Sequence, residues 1–292
     1  MRSFFLLSII AVLCISCGQN TEKQGCVPVK TSDNKCYAHF SLDDVTTITK
    51  SLSSYTGETI FKNPILATLK EWHTEYGIVA SLYVQGDFCI NSRYAQELID
   101  NCDWLKWGYH GNTDNARKKD VLQFYKQVMD AIGTDAIIDD APRLHYFAGD
   151  RHTCSTLQQM GCTGFLGCDD WSWNSAKRVN YYLDNKNSSI LDEEGALLDT
   201  ISGLYFVKTD FRLEQISQRW GDVQHALQYY SDNSKQAREL IIFSHEWCFS
   251  EYKQQADSIF NWAKNNGYTF DFPMNRMRNY DKRTHRHNST CL

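Results

Sequence analysis

The stretch HFSLDDVTT, residues 39–47, ends a run of strand-forming residues with two adjacent carboxylates, Asp43 and Asp44. The residues CYAHFSL at 36–42 predict a buried strand that leads into this pair. In parallel α/β folds, ligand-binding and catalytic groups lie at the carboxyl ends of the strands, where the loops converge. If Asp43 and Asp44 belong to such a site, other strands of the chain should also end in polar side chains.

Strand and helix patterns alternate from residue 36 onward. The predicted strands are 36–42, 78–84, 104–109, 143–147, 163–168, 204–211, 240–244 and 268–272. The predicted helices are one that opens at Asn63-Pro64 and stops at Gly77, and others near 92–101, 119–133, 154–160, 222–232 and 251–265. Because helices separate the strands, we expect parallel pairing through right-handed crossovers. The predicted fold is α/β, a single-domain and distorted seven- or eight-stranded (β/α) barrel, with an open doubly wound sheet as the alternative.

Polar residues do follow several predicted strands. The strand ends carry Asp43-Asp44, Asp87, His110, Asp169-Asp170 and His245-Glu246, and Arg143 opens the fourth strand. Scattered surface charges have no preference for these positions. The sequence therefore predicts one polar site at the carboxyl edge of the sheet or barrel.

Composition and charge exclude several classes of function. The chain has 292 residues, 42% of them hydrophobic, and a formal charge of -5. This weak charge bias gives no reason to expect nucleic acid as a partner. No Gly-x-x-x-x-Gly-Lys, Gly-x-Gly-x-x-Gly or Gly-x-Ser-x-Gly motif occurs, so neither nucleotide binding nor serine-hydrolase chemistry is expected.

The N-terminus predicts export. An apolar run from Phe4 to Ile15 is too short to cross a bilayer but fits the core of a signal peptide. Ser16 precedes Cys17 in a pattern that resembles a bacterial lipobox, so we expect Cys17 to carry lipid and to anchor the protein in the bacterial cell envelope. A plain secretory signal cleaved nearby is the alternative. The predicted organisation is a signal peptide at 1–17, a polar tether at 18–35, the barrel at 36–275 and a basic tail at 276–292.

Nine cysteines remain after Cys17, so an exported chain can form up to four disulfides. The pairing is not readable from the sequence. No Cys-x-x-Cys spacing occurs among them, so a structural zinc site is not expected.

The strand-end residues resemble motifs of the NodB-homology polysaccharide deacetylases, carbohydrate esterase family four. The segment SLDD (41–44) is similar to the family's Thr-Phe-Asp-Asp, and HGNTD (110–114) is similar to its histidine motif. Three further similarities are RLHYF (143–147) to Arg-x-Pro-aromatic, DWSW (170–173) to Asp-x-x-Trp, and FSH (243–245) to the closing apolar-x-His. All five occur in the family's order over roughly residues 36–275.

The resemblance implies a role for each of these residues. Asp43 is the expected general base, Arg143 its orienting partner, and His245 the general acid held by Asp170. The expected metal ligands are Asp44, His110 and Asp114, with Asp87 as an alternative ligand, and the cation is most often zinc, although manganese, cobalt or nickel also fit. Tyr146, Trp171 and Trp173 are the expected substrate-binding aromatics.

Two departures from the family pattern leave the activity open. Asp114 stands where the family has a second histidine, and His145 stands where it has proline. The expected function is metal-dependent hydrolysis of N- or O-acetyl groups on an envelope or extracellular glycan. The alternatives are an inactive lipoprotein that binds glycan or the envelope, and a metal-dependent hydrolase of a non-sugar amide. Glu246, beside His245, is a rival for the acid.

Overall fold

A computed structural model describes residues 25–29, 35–54, 58–112, 116–169, 179–232 and 238–277. Several predictions lie outside the described residues. These are the signal peptide with Cys17, most of the tether, the tail after residue 277, and the site residues Asp114, Asp170, Trp171 and Trp173. Within the described part, no helix has the length and apolar character needed to cross a membrane.

The described strands and helices follow one another in an α/β order. The strands are β1 Cys26–Pro28, β2 Cys36–Val45, β3 Ala80–Val84, β4 Leu105–Tyr109, β5 Gly164–Asp169, β6 Ala196–Asp199, β7 Leu204–Thr209, β8 Phe211–Arg212, β9 Glu239–His245 and β10 Tyr268–Phe270. The helices are α1 Thr47–Ser54, α2 Pro64–Tyr76, α3 Ala95–Asp100, α4 Lys118–Ile132, α5 Arg151–Gln159, α6 Asn185–Glu194, α7 Ile216–Trp220, α8 Val223–Ser231 and α9 Phe249–Asn265.

The larger sheet is parallel and has β2 near its centre. Its order is β4-β3-β2-β9-β8, and β10 pairs with the start of β2. The register places Asp43 of β2 beside His245 of β9. This pairing brings the ends of two strands that are 200 residues apart in sequence to the same edge of the sheet.

A second sheet has the order β1-β6-β7-β5. Strands β5 and β7 are parallel, whereas β6 pairs antiparallel with both β7 and β1. Strand β1 lies in the stretch predicted as a tether, so part of that stretch belongs to the folded domain. Residues 185–199, for which no helix or strand is predicted, form α6 and β6.

The segment 137–145 lies between the two sheets. It bonds to β4 through Trp107 N to the Ile137 carbonyl (2.8 Å) and Asp139 N to the Trp107 carbonyl (2.7 Å), and to β5 through Leu166 N to the Pro142 carbonyl (3.2 Å). The parallel α/β fold is thus observed. A closed barrel is not confirmed by the strand pairing of the described residues and stays a prediction.

The fourth predicted strand, 143–147, is wrong. His145–Phe147 form a 3₁₀ turn, and Tyr146 and Phe147 have φ of 53° and 55°. Aromatic residues favour strands on average, but here they take left-handed backbone conformations that a strand does not contain. The turn directs His145 toward the end of β2, where the site lies.

The helix boundaries follow from capping residues. The Asn63 side chain accepts hydrogen bonds from Ile65 N and Leu66 N at the start of α2, and Gly77, at φ 76°, ends it. On the inner side of these helices, the ring of Phe40 in β2 packs edge-on against Trp72 of α2 and Phe260 of α9, with centroids 5.8 and 5.2 Å away. Burying such large rings is the main stabilising contribution to this interface. The next side chains along β2, Ser41 and Asp43, therefore point to the opposite face.

Candidate metal centre and active site

Strand β2 is irregular at Asp44, so this side chain departs from the regular alternation of the strand. The pairing of β2 with β3 shifts register between Leu42 and Val45, and Asp44 has a φ of 55°. A positive φ is unfavourable for a residue with a Cβ and is retained only where the surroundings hold it. The result is that each of the two adjacent carboxylates has its own partners.

Asp43 pairs with Arg143 inside the protein. Both side chains are almost completely buried, and Arg143 Nη1 donates to Asp43 Oδ1 at 3.1 Å. The same guanidinium donates to Ser41 Oγ (2.6 Å) and Thr209 Oγ1 (3.1 Å) and lies 4.1 Å from the centre of the Phe243 ring. The structure thus brings together the two residues that the resemblance named as base and orienting partner.

Asp44 lies beside two histidines. Its Oδ1 is 3.3 Å from His110 Nε2 and 3.9 Å from His145 Nε2. One ligand atom from each of the three residues lies within 4.8 Å of the others. One carboxylate and two imidazoles form a set of the kind that zinc takes in catalytic sites.

The neutral tautomer of His110 places two acceptor atoms opposite each other. His110 Nδ1 lies 2.5 Å from the Arg143 carbonyl, which can only accept, so Nδ1 carries the hydrogen. Neutral His110 then presents a lone pair on Nε2 to a carboxylate oxygen that is also an acceptor. Among the described residues no hydrogen-bond donor serves Asp44 Oδ1, although this atom is buried. These atoms fit a divalent cation.

Asp44 remains anionic in this environment. Burial alone would raise its pKa, but the hydrogen bond and positive charge of His110 when its ring is protonated, followed by the charge of His245 and the indole N–H of Trp247, lower the pKa to about 2. The carboxylate is therefore available as a ligand over the physiological pH range.

His145 is a candidate ligand that the sequence prediction missed. In the sequence, His145 stands out only because the family motif has proline at this position. Asp114, the expected third ligand, lies outside the described residues. The sequence does contain a signal for this ligand. Compared with the family's motifs, it lacks the second histidine, at position 114, and has an extra histidine at position 145. Asp87 does not join the cluster, since it accepts hydrogen bonds from Gln123 and Gln127 instead.

His245 lies on the other side of Asp44 and has Glu214 as its partner. Glu214 Oε1 accepts from His245 Nδ1 and from the His245 backbone N, each at 2.8 Å. The ring then presents Nε2 toward Asp44 Oδ2, 3.9 Å away. The resemblance named Asp170 for this role, but Asp170 lies outside the described residues.

Glu214 is itself held by hydrogen bonds. Besides His245, the Ser244 hydroxyl (3.0 Å) and the Cys248 thiol (3.1 Å) donate to its Oε1. Burial would raise the pKa of Glu214, but the hydrogen bond and charge of His245, with the Cys248 contact, lower it to about 2. Burial, together with the charge of Glu214, raises the pKa of Cys248 to about 12. Cys248 is therefore a neutral donor to an anionic carboxylate.

Two exposed aromatic side chains lie at the rim of the cluster. Trp247 is 68% exposed, stacks on His245 with centroids 5.4 Å apart, and donates its indole N–H to Asp44 Oδ2 at 3.2 Å. Tyr146 is 63% exposed and lies against His145, with centroids 4.1 Å apart. Tyr146 was predicted from the sequence as substrate-binding, whereas Trp247 was not.

Most of the nine cysteines that were available for disulfides are free thiols among the described residues. Six of the nine are free thiols: Cys26, Cys89, Cys102, Cys154, Cys162 and Cys248. At most one disulfide can therefore form among the remaining three.

Comparison with known proteins finds similarity among solved structures. No protein-family model matches the chain, and no curated protein matches it. A Streptococcus mutans CE4 esterase is 11% identical, with a TM-score of 0.41, 81% of this chain covered and 85% of that chain.

Two further similar structures belong to the same group. A mutant of the peptidoglycan deacetylase PdaC from Bacillus subtilis is 12% identical, with a TM-score of 0.38, 88% of this chain covered and 97% of that chain. A mutant of a CE4 family pseudoenzyme with restored enzymatic activity is 10% identical, with a TM-score of 0.38 and 81% of this chain covered. This chain spans 65% of the length of that structure.

Proposed function

We propose that this protein is a metal-dependent hydrolase that removes N- or O-acetyl groups from a glycan of the cell envelope or the extracellular space. The observation that carries the proposal is the joint placement of Asp44, His110 and His145 around one point. Asp43, which precedes Asp44 in the chain, is paired with arginine, and His245, 3.9 Å from Asp44, is paired with glutamate. This is the combination of groups that amide or ester hydrolysis requires.

Asp44, His110 and His145 would hold the cation, which we expect to be zinc, with manganese, cobalt or nickel as alternatives. A bound divalent cation supplies Lewis-acid polarisation of the acetyl carbonyl and acidifies water. Two imidazoles and one carboxylate make a softer set than the two carboxylates and one imidazole expected from the sequence. Zinc is therefore favoured over harder cations.

Asp43 is the group that takes a proton. Its Oδ2 is not used by Arg143, which donates to Oδ1. The guanidinium of Arg143 favours the ionised form of the carboxylate and fixes its plane. A water molecule beside Asp43 can therefore lose a proton to it as it attacks the acetyl carbon.

His245 is the group that gives a proton to the leaving amine or hydroxyl. Its Nδ1 is held by Glu214, so only Nε2 faces the cluster. The carboxylate fixes the tautomer and the plane of the ring, as a histidine that transfers protons requires. Trp247 and Tyr146 offer exposed ring faces on which the apolar face of a sugar can pack.

The first test measures metal and acetate together. The purified full chain in detergent should bind about one zinc and release acetate from at least one acetylated glycan in a panel of N-acetyl and O-acetyl polymers. Asp43→Asn should retain zinc and lose turnover, and His110→Ala should lose both. His152→Ala, at an exposed histidine outside the cluster, is the control and should change neither. Normal acetate release by Asp43→Asn would rule out Asp43 as the base.

An inactive glycan-binding protein is the second candidate. The exposed rings of Trp247 and Tyr146 support it, because exposed aromatic rings can bind a sugar without any catalytic step. On this alternative, the wild-type protein binds acetylated glycan without releasing acetate, and Asp43→Asn binds as tightly. Loss of affinity in Trp247→Ala would locate the binding surface.

We also propose that the protein is exported and anchored by lipid at Cys17. The support comes from the sequence pattern around Cys17. Metabolic labelling with a clickable fatty acid should mark the wild-type protein in a bacterial host. Cys17→Ala should carry no label and should leave the membrane fraction.

A further inference from the structure

Glu246 receives an unusual concentration of hydrogen bonds. It follows His245 directly and is only 6% exposed. Its Oε2 accepts from the backbone N of Thr46 and of Thr47, each at 2.8 Å, and from Thr46 Oγ1 at 3.3 Å. Its Oε1 accepts from the backbone N of Ile48 at 2.6 Å and from Thr47 Oγ1 at 2.8 Å. One side chain thus fixes three consecutive residues that are about 200 positions away.

Thr46 directly precedes α1, and Thr47 and Ile48 are its first two residues; the helix has no acidic residue of its own in its first turn. The first N–H groups of a helix have no partners within the helix and need an acceptor. A carboxylate there is also favoured by the helix dipole. Glu246 therefore holds the start of α1 from the end of β9, and these contacts alone are a structural role.

The position of α1 makes this cap relevant to the metal centre. Asp44 lies two residues before Thr46 and has a φ of 55°. On its N-terminal side, Asp43 is fixed by Arg143. On its C-terminal side, the Glu246 contacts fix Thr46, and Gln85 N bonds to the Val45 carbonyl at 3.1 Å. Asp44 is held in an unfavourable conformation between these anchors.

Glu246 also begins the 3₁₀ turn Glu246–Cys248, which carries Trp247. Trp247 donates to the Asp44 oxygen that faces away from His110. The end of β9 therefore acts on Asp44 in two ways. The Trp247 indole N–H contacts Asp44 directly, and the Glu246 carboxylate fixes the residues that follow Asp44 in the chain. Displacement of either contact moves the ligand oxygen relative to the two histidines.

We propose that Glu246 is a positioning residue that holds Asp44 in its metal-binding conformation and so sets the affinity of the Asp44–His110–His145 centre for zinc. The inference rests on the metal centre of the proposed function. It assigns to Glu246 a role different from that of a rival acid, because all five hydrogen bonds of its two oxygens are made to Thr46, Thr47 and Ile48. Residues that orient a ligand typically change metal affinity about 10- to 100-fold when they are replaced.

The test compares Glu246→Gln with Glu97→Gln. Glu97 makes the same kind of contact away from the metal centre, since it accepts from Ile60 N at 2.8 Å and from the Thr59 hydroxyl. In both variants an NH₂ group replaces one of the two accepting carboxylate oxygens. Zinc affinity of the full chain is measured by competition with a chromophoric chelator. The visible spectrum of bound Co²⁺ reports the ligand geometry.

We expect Glu246→Gln to bind zinc about 10- to 100-fold more weakly and to change the Co²⁺ spectrum. Glu97→Gln should lose stability without either change. Should Glu246→Gln fail to fold, Thr47→Val removes one hydroxyl donor to Glu246, and Thr59→Val removes one to Glu97. Only Thr47→Val should then weaken zinc binding.

Wild-type zinc affinity and an unchanged Co²⁺ spectrum in a folded Glu246→Gln would overturn the inference and leave Glu246 as a helix cap. The same result in Thr47→Val would overturn it if Glu246→Gln does not fold. Failure of the wild-type chain to bind zinc or Co²⁺ would instead overturn the proposed metal centre. The two failures are therefore distinguishable.

Discussion

With His110 neutral, His110 and Asp44 face each other across 3.3 Å with two atoms that both accept hydrogen bonds, because the single ring hydrogen is then on the nitrogen that bonds to the Arg143 carbonyl. Two facing acceptors repel each other unless a proton or a cation lies between them. Arg143 therefore serves both carboxylates: its guanidinium pairs with Asp43, and its carbonyl sets the tautomer of the histidine beside Asp44.

Replacement of His145 should remove a metal ligand. We expect His145→Ala to weaken zinc binding by at least about 100-fold, because a three-ligand site that loses one ligand retains little affinity. Competition with a chromophoric chelator at fixed pH measures the change. Asp114→Ala is the matched comparison, since the sequence pattern named Asp114 as the third ligand. Zinc loss in Asp114→Ala with retention in His145→Ala would contradict the assignment.

Replacement of Glu214 should impair turnover without loss of metal. Glu214→Gln keeps an oxygen that can accept from His245 Nδ1 but removes the negative charge beside the ring. We expect kcat to fall about 100-fold, at the lower end of the range attributed to general acid catalysis, while KM and bound zinc stay unchanged. Glu71→Gln, at a 70% exposed glutamate, is the control. A wild-type kcat in Glu214→Gln would show that proton transfer by His245 does not depend on the negative charge of Glu214.

Arg143 and Asp43 should contribute to the free energy of unfolding as a coupled pair. Arg143→Gln leaves the Asp43 carboxylate buried without its cation, and we expect the free energy of unfolding to fall by about 3 kcal/mol. The double variant Arg143→Gln, Asp43→Asn should recover part of this loss, because no buried charge then remains. Urea unfolding at pH 7 measures Arg143→Gln, Asp43→Asn, the double variant and the wild type.

An exposed pair provides the control for that experiment. Arg117 and Asp120 are 2.7 Å apart, but their side chains are 61% and 32% exposed. Arg117→Gln should change the free energy of unfolding by no more than about 0.5 kcal/mol. Strictly additive effects of Arg143→Gln and Asp43→Asn would contradict the coupling of the buried pair.

The sequence was sufficient to predict the main frame of the fold. Capping residues and helical periodicity locate α2 between Asn63 and Gly77, where the structure has it. Strand patterns locate β2, β3, β4 and β9, and their parallel pairing places Asp43 beside His245. The positions of these elements depend on local sequence, and the common edge of their ends follows from the rule for parallel strands. The choice of β9 as the neighbour of β2 is a distant contact that only the structure supplies.

Features that depend on distant contacts could not be predicted. The pattern at 204–211 indicates one strand, but the structure has β7 and β8 with Asp210 between them. Asp210 Oδ2 accepts from Ile241 N at 3.0 Å, so the strand breaks where its side chain bonds to the neighbouring strand β9. Glu214 lies in the 3₁₀ turn after β8, 31 positions before His245, and no spacing rule links the two.

A buried histidine should make stability depend on pH. His39 lies on β2 with 1% exposure, and its Nε2 is 2.9 Å from Ser81 Oγ. Burial, with a smaller effect from the charge of Arg143, lowers the pKa of His39 to about 3 from an ordinary value of 6.5. The folded state holds His39 neutral, whereas the unfolded chain binds a proton below pH 6.5. Stability from this group is therefore complete above pH 6.5 and is lost as pH falls toward 3.

His39→Gln isolates this effect, since glutamine can bond to Ser81 and does not titrate. The free energy of unfolding from urea titrations, with chelator present, is compared at pH 7.5 and pH 5. Between these values the wild-type protein should lose about 2 kcal/mol more than the variant, because each pH unit below 6.5 contributes up to about 1.4 kcal/mol. Other carboxylates and histidines titrate in both proteins, so their contributions cancel in the difference. An equal loss of free energy of unfolding in the wild-type protein and in His39→Gln would contradict this prediction. It would mean that His39 is protonated in the folded protein and that burial does not hold it neutral.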